Sequence, residues 1–189
     1  MNSKRLFLAA VASTLACMSA LAAGPAPVEL FGTPLKNAQR IDLRKVLANT
    51  DLKPTRVDDN YWADTYNPER VLEGATYLAV TYTDAGSFAQ AQYKFPSHVD
   101  TGQIKRVVDF VASKYGRPNS TKGNYGLGEV VVTWNMPQGM KVTVSRGWPD
   151  TTTYLSITDI SNIAQVEKEH RLSQNAATQA RAKAQSKAF

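Results

Sequence analysis

Residues able to do chemistry are thinly spread along this chain. His98 and His170 are its two histidines. Glu167-x-x-His170 has the i, i+3 spacing that sets a carboxylate and an imidazole on one helix face, as in di-iron helices. Such a centre needs a second pair and further carboxylates, and the sequence carries one pair. A zinc site likewise asks for several converging donors. No metal and no cofactor is therefore expected, and Glu167 and His170 read as a solvated helix face. Asp58, Asp59 and Asp64 could pair with a distant acid for glycoside chemistry, but acids around a strand entry ordinarily just face water. His98, close to Asp100, reads as a loop residue. The nucleophile elbow G-x-S-x-G, the P-loop and G-x-G-x-x-G are absent. Tyr125-Gly126-Leu127-Gly128 is a loose glycine pair, read as a flexible turn. The expectation is a protein that is not an enzyme, with no catalytic residue.

Aromatic residues are the better lead. Tyr61, Trp62, Tyr66, Tyr125, Trp134 and Trp148 fall in or beside turns and strand-like runs. Large amphipathic rings suit a partner face that must be apolar yet wettable, and aromatic platforms also bind sugars. Most are expected to fill the core. The binding candidates are Tyr61, Trp62, Tyr125, Arg146 and Trp148. Trp148, beside Pro149-Asp150 in a turn, is the best candidate for exposure, with Arg146 as its charged neighbour.

The start of the chain, MNSKRLFLAAVASTLACMSALAAG, has a basic flank at Lys4 and Arg5 and an apolar run from Leu6 to Ala16. Ala20-Leu21-Ala22 offers small residues where a signal peptidase reads. The run is too short for a permanent membrane anchor. A secretory signal over 1–22, cleaved after Ala22, is expected, with the periplasm as destination and no transmembrane span in the mature chain. Cys17 is the single cysteine. Lipidation there is the alternative, against a poor fit of Thr14-Leu15-Ala16 to the recognition site. Cleavage after Ala22 leaves no cysteine, so stability in an oxidising space must come from burial alone. From Arg171 onward there are four basic residues and no acidic one. The body is close to neutral, which argues against nucleic acid as a partner.

The elements that must position these residues repeat. After a short linker over 23–30, Leu43, Val46 and Leu47 share a helical face, with Asn37 as N-cap and Pro54 beyond the end. Strand-like runs follow at Thr55–Tyr66, Ala75–Thr83 and Ser87–Phe95. In the last, Gln90, Gln92 and Lys94 face away from Ala89, Ala91, Tyr93 and Phe95. A second helix opens on an Asp100-x-x-Gln103 capping box. It carries the stripe Ile104, Val107, Val108, Val111 and Tyr115, and closes at Gly116 with Pro118 beyond. A loop runs to Gly128, and strands follow at Glu129–Met136, Met140–Arg146 and Thr151–Asp159. The fold class is α+β: tandem helix–three-strand repeats, 31–95 and 96–160, forming antiparallel sheet packed by helices. A shift of 64 residues matches them without a gap: Leu43 with Val107, Leu47 with Val111, Pro54 with Pro118, Leu78 with Val142 and Val80 with Val144. Residues 161–189 read as a C-terminal helix to about Leu172, then a mobile basic tail.

The unit running from Gln103 through Tyr115-Gly116-Arg117-Pro118 into its strands, and more loosely from Phe31 through Pro54, resembles two families. One is the SmpA/OmlA family of outer-membrane assembly lipoproteins (BamE); the other is the repeats of β-lactamase-inhibitory protein. The resemblance implies helices packed on one face of an antiparallel sheet, and a non-enzymatic, periplasmic, protein-binding scaffold. The functional expectation is an adaptor with an envelope protein as partner, such as an inhibitor or immunity protein of a secreted hydrolase. The alternative is a peptidoglycan- or carbohydrate-binding module using exposed aromatics.

Overall fold

A computed structural model describes residues 27–97, 100–126 and 128–188. The expected cleavage at Ala22, the lipidation candidate Cys17 and the loop residue His98 all lie outside the described residues. The protein is α+β, with a broad antiparallel sheet, helices packed on it and a C-terminal helix.

The first helix, α1, runs from Arg40 to Ala48 and buries Leu43 and Leu47. Strands β3 (Lys53–Arg56), β4 (Ala63–Asn67), β5 (Tyr77–Tyr82) and β6 (Phe88–Phe95) follow. Helix α2 (Gln103–Tyr115) precedes β7 (Ser120–Gly123), β8 (Val130–Asn135), β9 (Met140–Arg146) and β10 (Thr153–Asp159). Each half thus has four strands where three were expected. The Thr55–Tyr66 run breaks into two strands around Asp58–Trp62, and the polar segment read as loop supplies β7. Both added strands, β3 and β7, lie at the sheet edges and are exposed at every residue. An edge strand of this kind buries no face, so it has no apolar alternation to read.

The eight strands are ordered β3-β4-β5-β6-β10-β9-β8-β7, each antiparallel to its neighbours. The centre is β6 against β10, with Gln92 opposite Ser156, Ala91 opposite Ile157 and Tyr93 opposite Leu155. Leu78, Val80, Ala91, Tyr93, Val142, Val144, Leu155 and Ile157 line one face. That face joins the buried stripes of α1 and α2 in a single core. Leu78 lies opposite Tyr93 on β6, and Val142 lies opposite Ile157 on β10. The gap-free match fails one strand further out. Leu78 lies opposite Tyr66 and Val142 opposite Trp134, so β4 and β8 are offset by four further residues.

Local signals differ in detail. The stretch read as linker, 23–30, is partly structural: β1 (Glu29–Leu30) pairs with β2 (Thr33–Pro34) beyond it, and Val28 and Leu30 enter the core, as does Leu35. The N-cap of α1 is Gln39 rather than Asn37, because Gln39 bridges to Ser87 and the Arg40 amide donates to Gly86. Pro54 is within β3, opposite Tyr66, a place an edge strand tolerates. The capping box of α2 does not close. The Gln103 side chain donates to the Pro96 carbonyl, and Asp100 accepts from the Gly102 amide. Gly116 ends α2 at φ 77°, as a glycine can.

The C-terminal helix, α3, runs from Ile160 to Gln185, well past Leu172. Asp159 caps it, accepting from the Ser161 and Asn162 amides and from Lys36 Nζ at 2.8 Å. It crosses the strand ends in turn. Asn162 donates to the Phe88 carbonyl, the Asp84 amide donates to Glu169, and His170 meets Trp62 edge to face. Val166 is its one buried residue, and residues 171–187 are exposed. Alanine, glutamine, lysine and arginine keep that segment helical by propensity. Among the described residues no helix is long and apolar enough to cross a membrane.

Candidate functional site

The five binding candidates are divided between opposite ends of the sheet. Tyr61 and Trp62 precede β4 at the end crossed by α3. Trp62 donates its indole N–H to Asp84 at 2.9 Å and packs on His170. Tyr61 is 48% exposed, with the Arg56 guanidinium 4.1 Å from its ring centre. These rings sit beside a polar cleft of about 440 Å³ that Arg40, Asp59 and Asp84 also line.

Behind that cleft, α1 and β4 build an ion-pair cluster. Asp64 is fully buried. Arg40 Nη2 reaches its Oδ1 at 2.7 Å, and Arg44 donates to both of its oxygens at 2.8 and 2.9 Å. Arg44 also pairs with Asp59 at 2.7 Å. Burial alone would raise the Asp64 carboxyl; the hydrogen bonds from Arg44 and Arg40 outweigh it and hold the group below its ordinary range. Those bonds push the Arg44 guanidinium up in turn. Burial, with the charge of Asp64 added, pushes the Tyr66 phenol up to about 12. Burial likewise pushes Tyr82 up, and its hydroxyl has no hydrogen-bond partner among the described residues. Asp64 spends its charge on two arginines and is committed to holding α1 to the sheet. Asp58 accepts from the Asn60 amide in a tight turn. Asp59 and Asp64 thus share Arg44, while the Asp58 carbonyl accepts from Arg40 at 2.8 Å.

At the other end, Trp148 is 61% exposed, and Arg146, placed beside it by expectation as a surface contact, is only 3% exposed. The Arg146 guanidinium ties loops together. It donates to the carbonyls of Gly128, Tyr125 and Asn124 at 3.1 Å and of Thr101 at 3.3 Å. Tyr125 is half-buried against the core. Trp134 is buried, its indole donating to the Gly116 carbonyl at 2.9 Å. Among the described residues no His, Cys, Asp and Glu side chains gather as a metal-binding group.

The second face of the sheet was only partly legible in the sequence. Apart from the strand ends that α3 crosses, among the described residues no helix packs on the second face of the sheet. Gln90 donates to Thr158 and Gln92 to Ser156, both at 3.1 Å, across the central strand pair. Next in register along this face, Tyr77 lies opposite Lys94 and Lys94 opposite Tyr154. A lysine is thereby flanked by two tyrosines, with Tyr77 37% exposed. Alternation had already put Gln90, Gln92 and Lys94 on this face. The tyrosines that join them come from strands remote in sequence, so only the register brings the three together.

No family model matches the chain, and no curated protein does. Among solved structures, the DUF4309 family protein YjgB of Bacillus subtilis subsp. subtilis str. 168 is similar over 71% of this chain and 87% of its own, with 14% identity and a TM-score of 0.42.

Proposed function

We propose that this chain is a non-enzymatic binding protein of the bacterial periplasm that offers the uncovered sheet face to an envelope protein. An inhibitor or immunity protein of a secreted hydrolase has this character. The observation that carries the reading is the Tyr77–Lys94–Tyr154 row beside the glutamine ladder. Tyrosine is favoured at the energetic centre of interfaces because it brings area, a hydroxyl and few rotatable bonds. Hydrogen-bonded glutamines on paired strands start with little side-chain freedom to lose on binding.

The same reading takes the scaffold as one helix-and-strands unit built twice. Support comes from the centre of the sheet, where Gln92 faces Ser156, its own counterpart 64 residues on. A two-fold axis through that pair exchanges the two sheet ends. It also accounts for Tyr61 and Tyr125, 64 residues apart, lying at opposite ends.

A photo-crosslinking residue at position 77 or 154 is expected to trap one envelope protein, and the same residue at exposed Ile41 on α1 is not. Tyr77→Ala and Tyr154→Ala should each weaken that complex by tenfold or more, about 1.4 kcal/mol. Equal capture from position 41, or none from the sheet face, overturns the reading.

A further inference from the structure

We infer that the cleft beneath Trp148 is a separate binding site for a saccharide ring that carries a carboxylate. The cleft measures about 320 Å³, at the small end of ligand sites and on the scale of one ring. Its lining includes Trp148, Gly126, Gly128, Ser97, Asp100 and Arg146.

Each part has a matching role. Trp148 presents an open indole face, against which the C–H face of a pyranose packs. Gly126 and Gly128 add no side chain of their own to the lining. Asp100 is ion-paired with Arg106, whose hydrogen bond holds the carboxyl below its ordinary range. An ionised carboxylate is an acceptor suited to sugar hydroxyls.

Arg146 supplies the charge preference. Its guanidinium is fixed between the carbonyls of Thr101 and Gly128, both from residues of the cleft wall. Its four hydrogen bonds all go to neutral carbonyls, and among the described residues it forms no ion pair with a carboxylate. Those bonds leave one Nη2 N–H without an acceptor among the described residues. A buried cation with no counter-charge is costly unless an anion completes it. A ligand carboxylate would do so through that one N–H and the guanidinium charge, both already held in place. This site is independent of the sheet-face reading, because Arg146 lies on the helix-covered side of its strand.

The test is titration of the full mature chain with N-acetylmuramic acid and galacturonic acid, against N-acetylglucosamine and galactose as neutral counterparts. Calorimetry and tryptophan fluorescence are the readouts. The acidic sugars should bind at least tenfold more tightly than the neutral ones, with a change in the Trp148 emission. Trp148→Ala should lose at least tenfold in affinity with its urea midpoint unchanged, and Trp148→Phe should recover part of it. The acid-against-neutral comparison reads the Arg146 charge without replacing a residue the loops need for folding. Equal affinity for neutral sugars overturns the carboxylate assignment. Binding of a short peptide carboxylate with no sugar bound overturns the saccharide class, and no binding at millimolar ligand overturns the site. Tyr77→Ala and Tyr154→Ala should leave sugar affinity unchanged, which separates this result from failure of the sheet-face reading.

Discussion

Asp64 is the residue on which the first half of the molecule turns. Fully buried, it satisfies Arg40 and Arg44 together. Removing one member of such a cluster leaves buried charge without compensation, typically at about 3–5 kcal/mol. Asp64→Ala is accordingly expected to lower stability by that order at neutral pH, measured by urea denaturation. The pH dependence follows from the direction of the shift. The folded carboxyls of Asp64 and Asp159 are both held below the ordinary value of 3.8. For Asp159, burial opposes the shift, while Lys36 and the amides and hydroxyl of the α3 cap outweigh it. A depressed folded pKa gives stability that is complete above the unfolded value and is lost as pH falls through the folded one. The loss should therefore begin near pH 4 and deepen below it. Asp64→Asn should lose less stability than the parent between pH 6 and pH 2.5, read as the shift in urea midpoint.

At the scale of elements, α3 has two parts with different physics. Its first eleven residues are anchored by the Asp159 cap, by Asn162 on Phe88 and by Glu169 and His170 on the loops beside β5 and β4. The rest makes no buried contact and extends roughly 22 Å at the usual helical rise. Asp159→Ala is expected to cost about 1–2 kcal/mol through the lost cap, with the Lys36 bridge lost as well. Ending the chain after Leu172 should change stability by no more than about 0.5 kcal/mol, while helical circular dichroism falls. At the β7 edge, Gly123 has φ 88°, and a Cβ there would overlap the Glu129 carbonyl. Gly123→Ala should therefore cost more than about 1 kcal/mol in thermal or urea unfolding.

The whole molecule is one core divided between two halves of the chain. β6 and β10 are its central ladder, and the buried residues on both sides of that ladder form a single cluster. A half expressed alone would expose β6 or β10 as a long, apolar-faced edge, which invites aggregation. Residues 27–97 alone are expected to lack a cooperative unfolding transition, as are residues 98–170. Mixed, the two fragments should regain sheet circular dichroism and a single transition. A stable, cooperative isolated half would contradict the shared core.

The amino-acid sequence determined the helix stripes and the inner strands, because burial on one face writes a period into the chain. Leu43 with Leu47, Ile104 through Val111, and the alternation of β5, β6, β9 and β10 are legible for that reason. It also singled out Trp148, in a Trp-Pro-Asp turn, as a candidate for exposure, and that ring is exposed. The exposed edge strands β3 and β7 bury nothing and leave no such period. Tertiary structure alone decided the fate of charged residues. Whether Arg146 meets water or four carbonyls, and whether Asp64 is solvated or closed over by two arginines, depends on segments distant in sequence. The Tyr77–Lys94–Tyr154 row is of the same kind, since strand register, which no local pattern encodes, is what sets those three side chains next to one another.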